Sequence, residues 1–386
     1  MCIRHFASFV LKKINSMKNE LYSTRLYIHC ENLAHNINKL YTKNSNQRII
    51  AMIKANAYGH GDIIMAKKME EYGIQYFGVA DFEEGIRLRQ NDIESPIMVM
   101  NPASNNLSKI LDYDLEPVIY NQTLLNELVR IISLKSNKKF ISNPCQIHIK
   151  FNTGMNRWGF NFSEIKSIVE VLRKYNNICV KSIYSHLASA SNKNDDVFTH
   201  KQLNLFNAIR LSFCKFFDYK INTHIYNSAG FLRFKNPDAF NYCRIGLALY
   251  GSMMDRDLKP ISELKCPVSQ IRIIQKNEAV GYNLKYTSIK KMKIGVIPFG
   301  YADGLQRQWG DGVLNFFYKG KLIPTIGNIS MDSCVVDLSN INDISEGNDL
   351  LYFGIERPIW ELAKELNTIP YEITATLSKR IKRIYC

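Results

Sequence analysis

The chain contains no run of about 18 consecutive apolar residues, so nothing in it reads as a membrane-crossing helix, and the apolar stretch at residues 6–11 is far too short. It has no CxxC pair: nine cysteines, an odd number, are scattered at positions 2, 30, 145, 179, 214, 243, 266, 334 and 386. That pattern excludes a disulfide framework and favours reduced thiols in a reducing compartment, so a cytoplasmic location is expected. The eight histidines show no HExxH or comparable spacing, which leaves no candidate metal site. Internal repeats and low-complexity tracts are missing as well, removing solenoid and linker readings.

Residues 1–16 are basic with no acidic residue, yet they lack a signal-peptide apolar region and a small-residue cleavage site. Residues 1–24 read as an extension and lead-in, with a start at Met17 as the simpler alternative. A formal charge of +15 raises nucleic acid or membrane surfaces as partners. Those partners need a basic patch, and here Lys and Arg are spread along the chain. A solvated basic surface that attracts small anions is the expectation, with no nucleic acid and no membrane partner.

With 46% hydrophobic and 22% charged residues the composition is that of a folded globular protein, and 386 residues exceed what one core usually organises. After a helix-like opening at 32–41, β-prone runs begin near Arg48, Gln75, Pro96, Glu116, Gln146, Cys179, Thr223 and Tyr242. Between them, residues 62–72, 81–90, 122–134, 163–175 and 198–217 carry the apolar spacing of amphipathic helices. Eight such units predict a (β/α)8 barrel over residues 25–262. Short runs at 268–274, 292–298, 313–317, 321–326, 334–338 and 349–353, with one helix at 359–366, predict a mostly β C-terminal domain over 263–386.

Reactive residue types fall at the carboxyl ends of the barrel strands, where barrel enzymes build their sites. The first strand leads into Ile53-Lys54-Ala55-Asn56-Ala57-Tyr58-Gly59-His60-Gly61. Alone, Lys54 would be a surface lysine; an amine desolvated at a barrel mouth instead has a lowered pKa and forms Schiff bases. After the fifth strand come Lys150 and the loop to Gly159, after the sixth Ser185-His186, after the seventh Asn227-Ser228, and at the eighth Arg244-Ile245-Gly246-Leu247. The loops after strands seven and eight are the usual phosphate site of such barrels, and Ser228 with backbone N–H groups near Gly246 supplies neutral donors. Singly, His186 is a packed core histidine and Arg244 an ion-pair partner; their convergence favours a site.

In order along the chain, several motifs resemble the alanine racemase family, fold type III enzymes dependent on pyridoxal 5'-phosphate (PLP). Lys54 to Tyr58 resembles its PLP-lysine segment, and Thr153-Gly154-Met155-Asn156-Arg157 its substrate-arginine loop. Asn227-Ser228-Ala229, Arg244 to Gly251, Val280-Gly281-Tyr282, Gly300 to Gly304 and Ser330-Met331-Asp332 continue the match, which runs from about Arg25 to the C-terminus.

The resemblance implies that Lys54 holds PLP as a Schiff base, that Tyr58, Ser228 and the backbone of Gly246 and Leu247 hold its phosphate, and that Asn227 also belongs to the cofactor site. Arg244 would face the pyridine nitrogen, linked to His186. Arg157 would bind the substrate carboxylate, with Met331 and Asp332 contributing substrate contacts, and Lys150 would be carbamylated and paired with Arg157. Racemisation needs a base on each face of the α-carbon; Lys54 and Tyr282 are those two bases. The tyrosine comes from a second subunit in the family, which implies a homodimer with shared sites. The activity implied is interconversion of L- and D-alanine, supplying D-alanine for peptidoglycan.

Two positions depart from the family pattern. Asn152 stands where many members have an acid, and Lys379, where some have tyrosine, bears on alanine over serine preference. A fold type III decarboxylase would set a carboxylate, not Arg244, against the pyridine nitrogen. A non-catalytic PLP-binding barrel would need neither Tyr282 nor residues 263–386, and D-alanine formation separates it from a racemase.

Overall fold

The computed structural model describes residues 23–43, 47–134, 143–234 and 240–386; the extension expected over 1–24 lies outside them except for its last two residues. The chain divides into two compact units, residues 34–249 and residues 1–33 with 250–386.

Unit 34–249 is a nearly closed parallel barrel. Its strands are β2 (Arg48–Met52), β3 (Phe77–Val79), β4 (Ile97–Val99), β5 (Glu116–Ile119), β6 (Cys145–Lys150), β7 (Ile178–Tyr184), β8 (Asn222–His224) and β9 (Tyr242–Ile245). They follow one another in register from β2 to β8, with β9 on the free side of β2. Between β8 and β9 the Arg244 N–H bonds the Tyr226 carbonyl at 3.0 Å and the Thr223 N–H meets the Asn241 side chain at 3.3 Å. All eight strands lie where the apolar runs predicted them.

Helices α1 (Cys30–Lys43), α2 (Asp62–Glu71), α3 (Phe82–Arg89), α4 (Leu107–Asp112), α5 (Gln122–Leu134), α6 (Ile165–Leu172), α7 (Asp196–Cys214) and α8 (Ser228–Arg233) connect the strands. In α5 the stripe Leu124, Leu125, Leu128, Ile131, Ile132 is buried, each such side chain worth about 1.5–3 kcal/mol. Its start is set by Asn121, whose Oδ1 accepts from Leu124 N at 2.9 Å. The short α4 and α8 carry too few turns to show a periodicity.

The second unit holds a nine-stranded sheet in the order β11-β14-β17-β16-β15-β18-β10-β1-β19. Its members are β1 (Arg25–Ile28), β10 (Ser262–Pro267), β11 (Gln270–Ile274), β14 (Met292–Ile297), β15 (Asn315–Tyr318), β16 (Lys321–Ile326), β17 (Cys334–Asp337), β18 (Asp349–Phe353) and β19 (Lys382–Tyr385), beside the ribbon β12 (Ala279–Val280) and β13 (Tyr286–Thr287). Only β1 and β19 pair in parallel. Helices α9 (Ile359–Glu365) and α10 (Pro370–Ala375) complete it.

The six strands and one helix expected here are present, and β1, β10, the ribbon, β19 and α10 add to them. Strand β1 lies where the barrel domain was expected to start, but it pairs with β10 and β19, and its Leu26 and Ile28 are fully buried. Four residues with two inward side chains are too short to announce such a strand. Among the described residues no helix is long and apolar enough to cross a membrane.

Candidate active site

Lys54 follows β2, whose last four residues are buried, and stands at the carboxyl end of the barrel. The next four residues, Ala55, Asn56, Ala57 and Tyr58, all have left-handed backbone, with φ of 52°, 56°, 51° and 55°. This conformation costs a non-glycine residue roughly 1–2 kcal/mol, so it must be held. Glu84 holds it: one carboxylate oxygen accepts from Ala55 N at 2.6 Å and the other from Ala80 N at 2.7 Å. The turn ends on Gly59 and Gly61, both at positive φ, and Gly59 N closes on the Ala55 carbonyl at 2.9 Å. Burial, then the Arg157 charge, lowers the Lys54 pKa; Glu84 opposes this and Arg244 adds to it. The result is an amine closer to its nucleophilic form.

Arg244, buried on β9, donates to His224 Nδ1, to His186 Nδ1 at 3.1 Å and to the carbonyls of Ser185 at 2.6 Å and Ile225 at 3.3 Å. Burial pushes it down only to about 10, so it remains a cation near neutrality. Burial first, then Arg244, Lys150, Arg157 and Lys54, hold His186 well below the ordinary histidine range. A neutral His186 accepts at Nδ1 from Arg244 and carries its proton on Nε2.

Lys150 ends β6 and is buried; burial, Arg244, Arg157 and Lys54 push it down to about 7. Its Nζ lies 5.1 Å from the Trp158 ring centroid, and the Arg157 guanidinium lies 5.0 Å from the same ring. Asn152 builds the loop: its Oδ1 accepts from Gly154 N and Asn156 N, each at 3.0 Å.

Ser228 Oγ accepts from Gly246 N at 3.1 Å and Ala248 N at 3.3 Å, joining the ends of β8 and β9. A Cβ on Gly246 would lie 2.5 Å from the Tyr58 hydroxyl, so only glycine lets that phenol reach this backbone. Leu247 is buried beside it. Asn227 caps α8 through Gly230 N at 2.9 Å and bonds the Leu187 carbonyl at 3.3 Å, so it positions Ser228. These groups fit PLP: an amine of lowered pKa, a hydroxyl and amide cradle for a dianion, and a cationic wall. The Tyr184 hydroxyl is buried with no hydrogen-bond partner among the described residues, a further polar group that the protein itself leaves unused.

Tyr282, Met331 and Asp332 belong to the second unit. Tyr282 opens a short turn after Gly281 and is 70% exposed, and its carbonyl accepts from Asn328 Nδ2 at 3.0 Å. The Met331 carbonyl accepts from Ala302 N at 2.9 Å, an approach that a Cβ on Gly300 would block at 2.3 Å. Asp332 pairs with Arg380 at 2.8 Å, and Lys379 is exposed on the adjoining turn.

Residues 28–254 match the family model for the alanine racemase N-terminal domain and residues 261–385 that for its C-terminal domain. The chain belongs to the alanine racemase family. It is 30% identical over 374 residues to the alanine racemase of Clostridium kluyveri, covering 93% of each chain. It is 35% identical over 365 residues to that of Aquifex aeolicus, covering 93% of this chain and 98% of the relative. The structure of alanine racemase from Bartonella henselae with covalently bound pyridoxal phosphate superposes with a TM-score of 0.84 at 26% identity, over 94% of this chain and 99% of that one.

For an alanine racemase, the residues missed in the sequence are those behind the first layer: Glu84, Tyr184 and His224. Glu84 sits in the first turn of α3, where an acid is ordinary. His224 carried a signal, a polar residue in a strand otherwise read as core. Its ring stacks on Tyr184 with centroids 4.8 Å apart and planes 2° apart, and Arg244 lies 4.8 Å over the same tyrosine.

Proposed function

We propose that Lys54 and Tyr282 are the two bases of this alanine racemase, acting on opposite faces of the substrate α-carbon. The activity itself is the PLP-dependent interconversion of L-alanine and D-alanine, which supplies D-alanine for peptidoglycan. Bound at Lys54, PLP supplies the electron sink for the pair left behind when the α-proton departs.

The observation that carries the reading is the Lys54 amine, lowered by burial and by Arg157 and Arg244, at the carboxyl end of β2. An amine lowered from its ordinary range is more readily present as the free base that accepts a proton. Tyr58, Ser228 and the backbone of Gly246 and Leu247 bind the phosphate, with Asn227 holding Ser228 in place. Arg244 would face the ring nitrogen of bound PLP, and as a cation it would disfavour protonation there. His186 keeps the guanidinium in its plane.

Arg157 binds the alanine carboxylate, with Met331 and Asp332 bordering the substrate. Carbamylated Lys150 pairs with Arg157 in place of an acid at Asn152. Tyr282 reaches the site from a second subunit, so the active form is a homodimer, and its exposure supports that reading. The described cysteines are free thiols, which supports a reducing, cytoplasmic setting.

The test is Lys54→Ala. After borohydride treatment of PLP-loaded protein, wild type should retain cofactor fixed to the chain and the variant none, with racemisation of L-alanine lost. Fixation at full occupancy in the variant would sink the assignment.

A further inference from the structure

Polar side chains form one continuous chain through the barrel interior. Arg244 on β9 meets His224 Nδ1; His224 Nε2 lies 2.9 Å from Ser182 Oγ; that oxygen lies 2.7 Å from His148 Nδ1; and His148 Nε2 lies 3.0 Å from Glu116 Oε2. The Tyr76 hydroxyl and the Lys181 ammonium donate to the same Glu116 carboxylate. Glu116 opens β5, at the opposite end of the barrel from the Lys54 turn. Glu116, His148, Ser182, His224 and Arg244 are all buried, none more than 8% exposed.

Arg244 at one end and the Glu116 carboxylate at the other select one proton order along this chain, with the Tyr76 hydroxyl also 2.9 Å from His148 Nε2. A guanidinium has only donors, so His224 Nδ1 must be bare and its proton must sit on Nε2, donated to Ser182. The single Ser182 proton then goes to His148 Nδ1, which leaves the His148 proton on Nε2, facing the carboxylate. Reversal would set N–H against N–H at Arg244, and at the other end it would set a bare nitrogen against Glu116 unless the Tyr76 hydroxyl turned from the carboxylate to that nitrogen. Burial holds His148 and His224 below the ordinary histidine range, in keeping with neutral rings. Burial by itself raises Glu116, but His148 and Lys181 bring it down to about 2, so it stays charged.

We propose that Glu116, His148, Ser182 and His224 form a one-way hydrogen-bond relay that positions Arg244, with a carboxylate at the amino end of the barrel fixing the acceptor presented to the guanidinium at the other end. The proposal rests on the reading that Arg244 faces the cofactor ring. No carboxylate touches Arg244 among its described hydrogen-bond partners; the anion joined to it by hydrogen bonds is Glu116. Every dipole in between points the same way, so each bond strengthens the next. These four are positioning residues, acting through Arg244.

The test begins with the unaltered holoenzyme labelled with 15N-histidine. The relay requires a bare Nδ1 and a protonated Nε2 on both His148 and His224. A proton on either Nδ1 overturns it without any variant having to fold. Ser182→Ala should then give a mixture of tautomers at His224 and lower kcat by about 10–100-fold, the usual cost of losing an outer partner, with KM for alanine little changed. Ser182→Thr, which keeps the hydroxyl, should restore both. Scrambled tautomers with unchanged kcat and unchanged cofactor absorption would overturn the link to Arg244. Arg244→Lys locates the fault: if it too leaves kcat and absorption unchanged, the reading of Arg244 has failed, whereas a large effect there with none from Ser182→Ala condemns the relay alone.

Discussion

At Lys150, burial and the Arg244, Arg157 and Lys54 cations leave an amine at about 7. The neutral amine can attack carbon dioxide: a N–C bond forms, a proton leaves, and a cation beside Arg157 becomes an anion. This turns the least favourable charge in the site into a partner for Arg157, the arginine proposed to bind substrate. Bicarbonate should therefore raise the thermal midpoint and lower KM for alanine in wild type and do neither in Lys150→Met. The effect should grow from pH 6 to pH 8, as the neutral fraction grows through about 7; a 13C-bicarbonate carbamate resonance present in wild type and absent from the variant would check the chemistry. Without carbon dioxide the sign follows from linkage. The folded pKa, about 7, lies below the ordinary 10.5, so between those values the unfolded chain binds more protons and stability rises with pH. Lys150→Met should accordingly gain most over wild type below pH 7 and little by pH 10, read from urea midpoints in carbon dioxide-free buffer.

The element that presents Lys54 is a left-handed turn of four non-glycine residues, and its stability is borrowed from α3 through Glu84. Glu84→Ala leaves the Ala55 and Ala80 N–H groups without their acceptor, at a cost of about 1–3 kcal/mol for an unsatisfied donor. A lower urea midpoint and weaker PLP retention on dialysis are expected. Glu84→Gln, which offers one acceptor in place of two, should fall between; an alanine variant that binds PLP as wild type does would mean that the turn holds itself. This element also marks the limit of what the sequence disclosed. The eight barrel strands were legible because each is an apolar run bounded by turn residues; the proposed Lys54, His186 and Ser228 stand just past such runs, Arg244 lies within the last of them, and Arg157 sits in the loop after β6. The turn was not legible, since Ala55, Ala57 and Tyr58 have no propensity for left-handed backbone, Asn56 alone does, and the support comes from residue 84. Strand β1 stayed hidden for a related reason: Leu26 and Ile28 acquire meaning only when β10 and β19, more than 200 residues away, pair on either side.

In the molecule as a whole the two proposed bases stand on separate compact units, Lys54 within 34–249 and Tyr282 within 250–386. Around Tyr282 in sequence, Leu284 is 70% and Ile289 78% exposed, apolar side chains that a partner subunit would cover. If each site takes Lys54 from one protomer and Tyr282 from the other, neither Lys54→Ala nor Tyr282→Ala homodimers should racemise alanine appreciably. Mixing the two under conditions that exchange subunits creates dimers in which one site lacks both bases and the other lacks neither. Random pairing makes about half the dimers mixed, each with one working site of two, so activity should recover to about a quarter of the wild-type level. Exchange is verified separately, by mass spectrometry of differently tagged protomers. No recovery despite verified exchange would mean that Lys54 and Tyr282 serve one site within a single chain, and the homodimer would then lose its catalytic rationale.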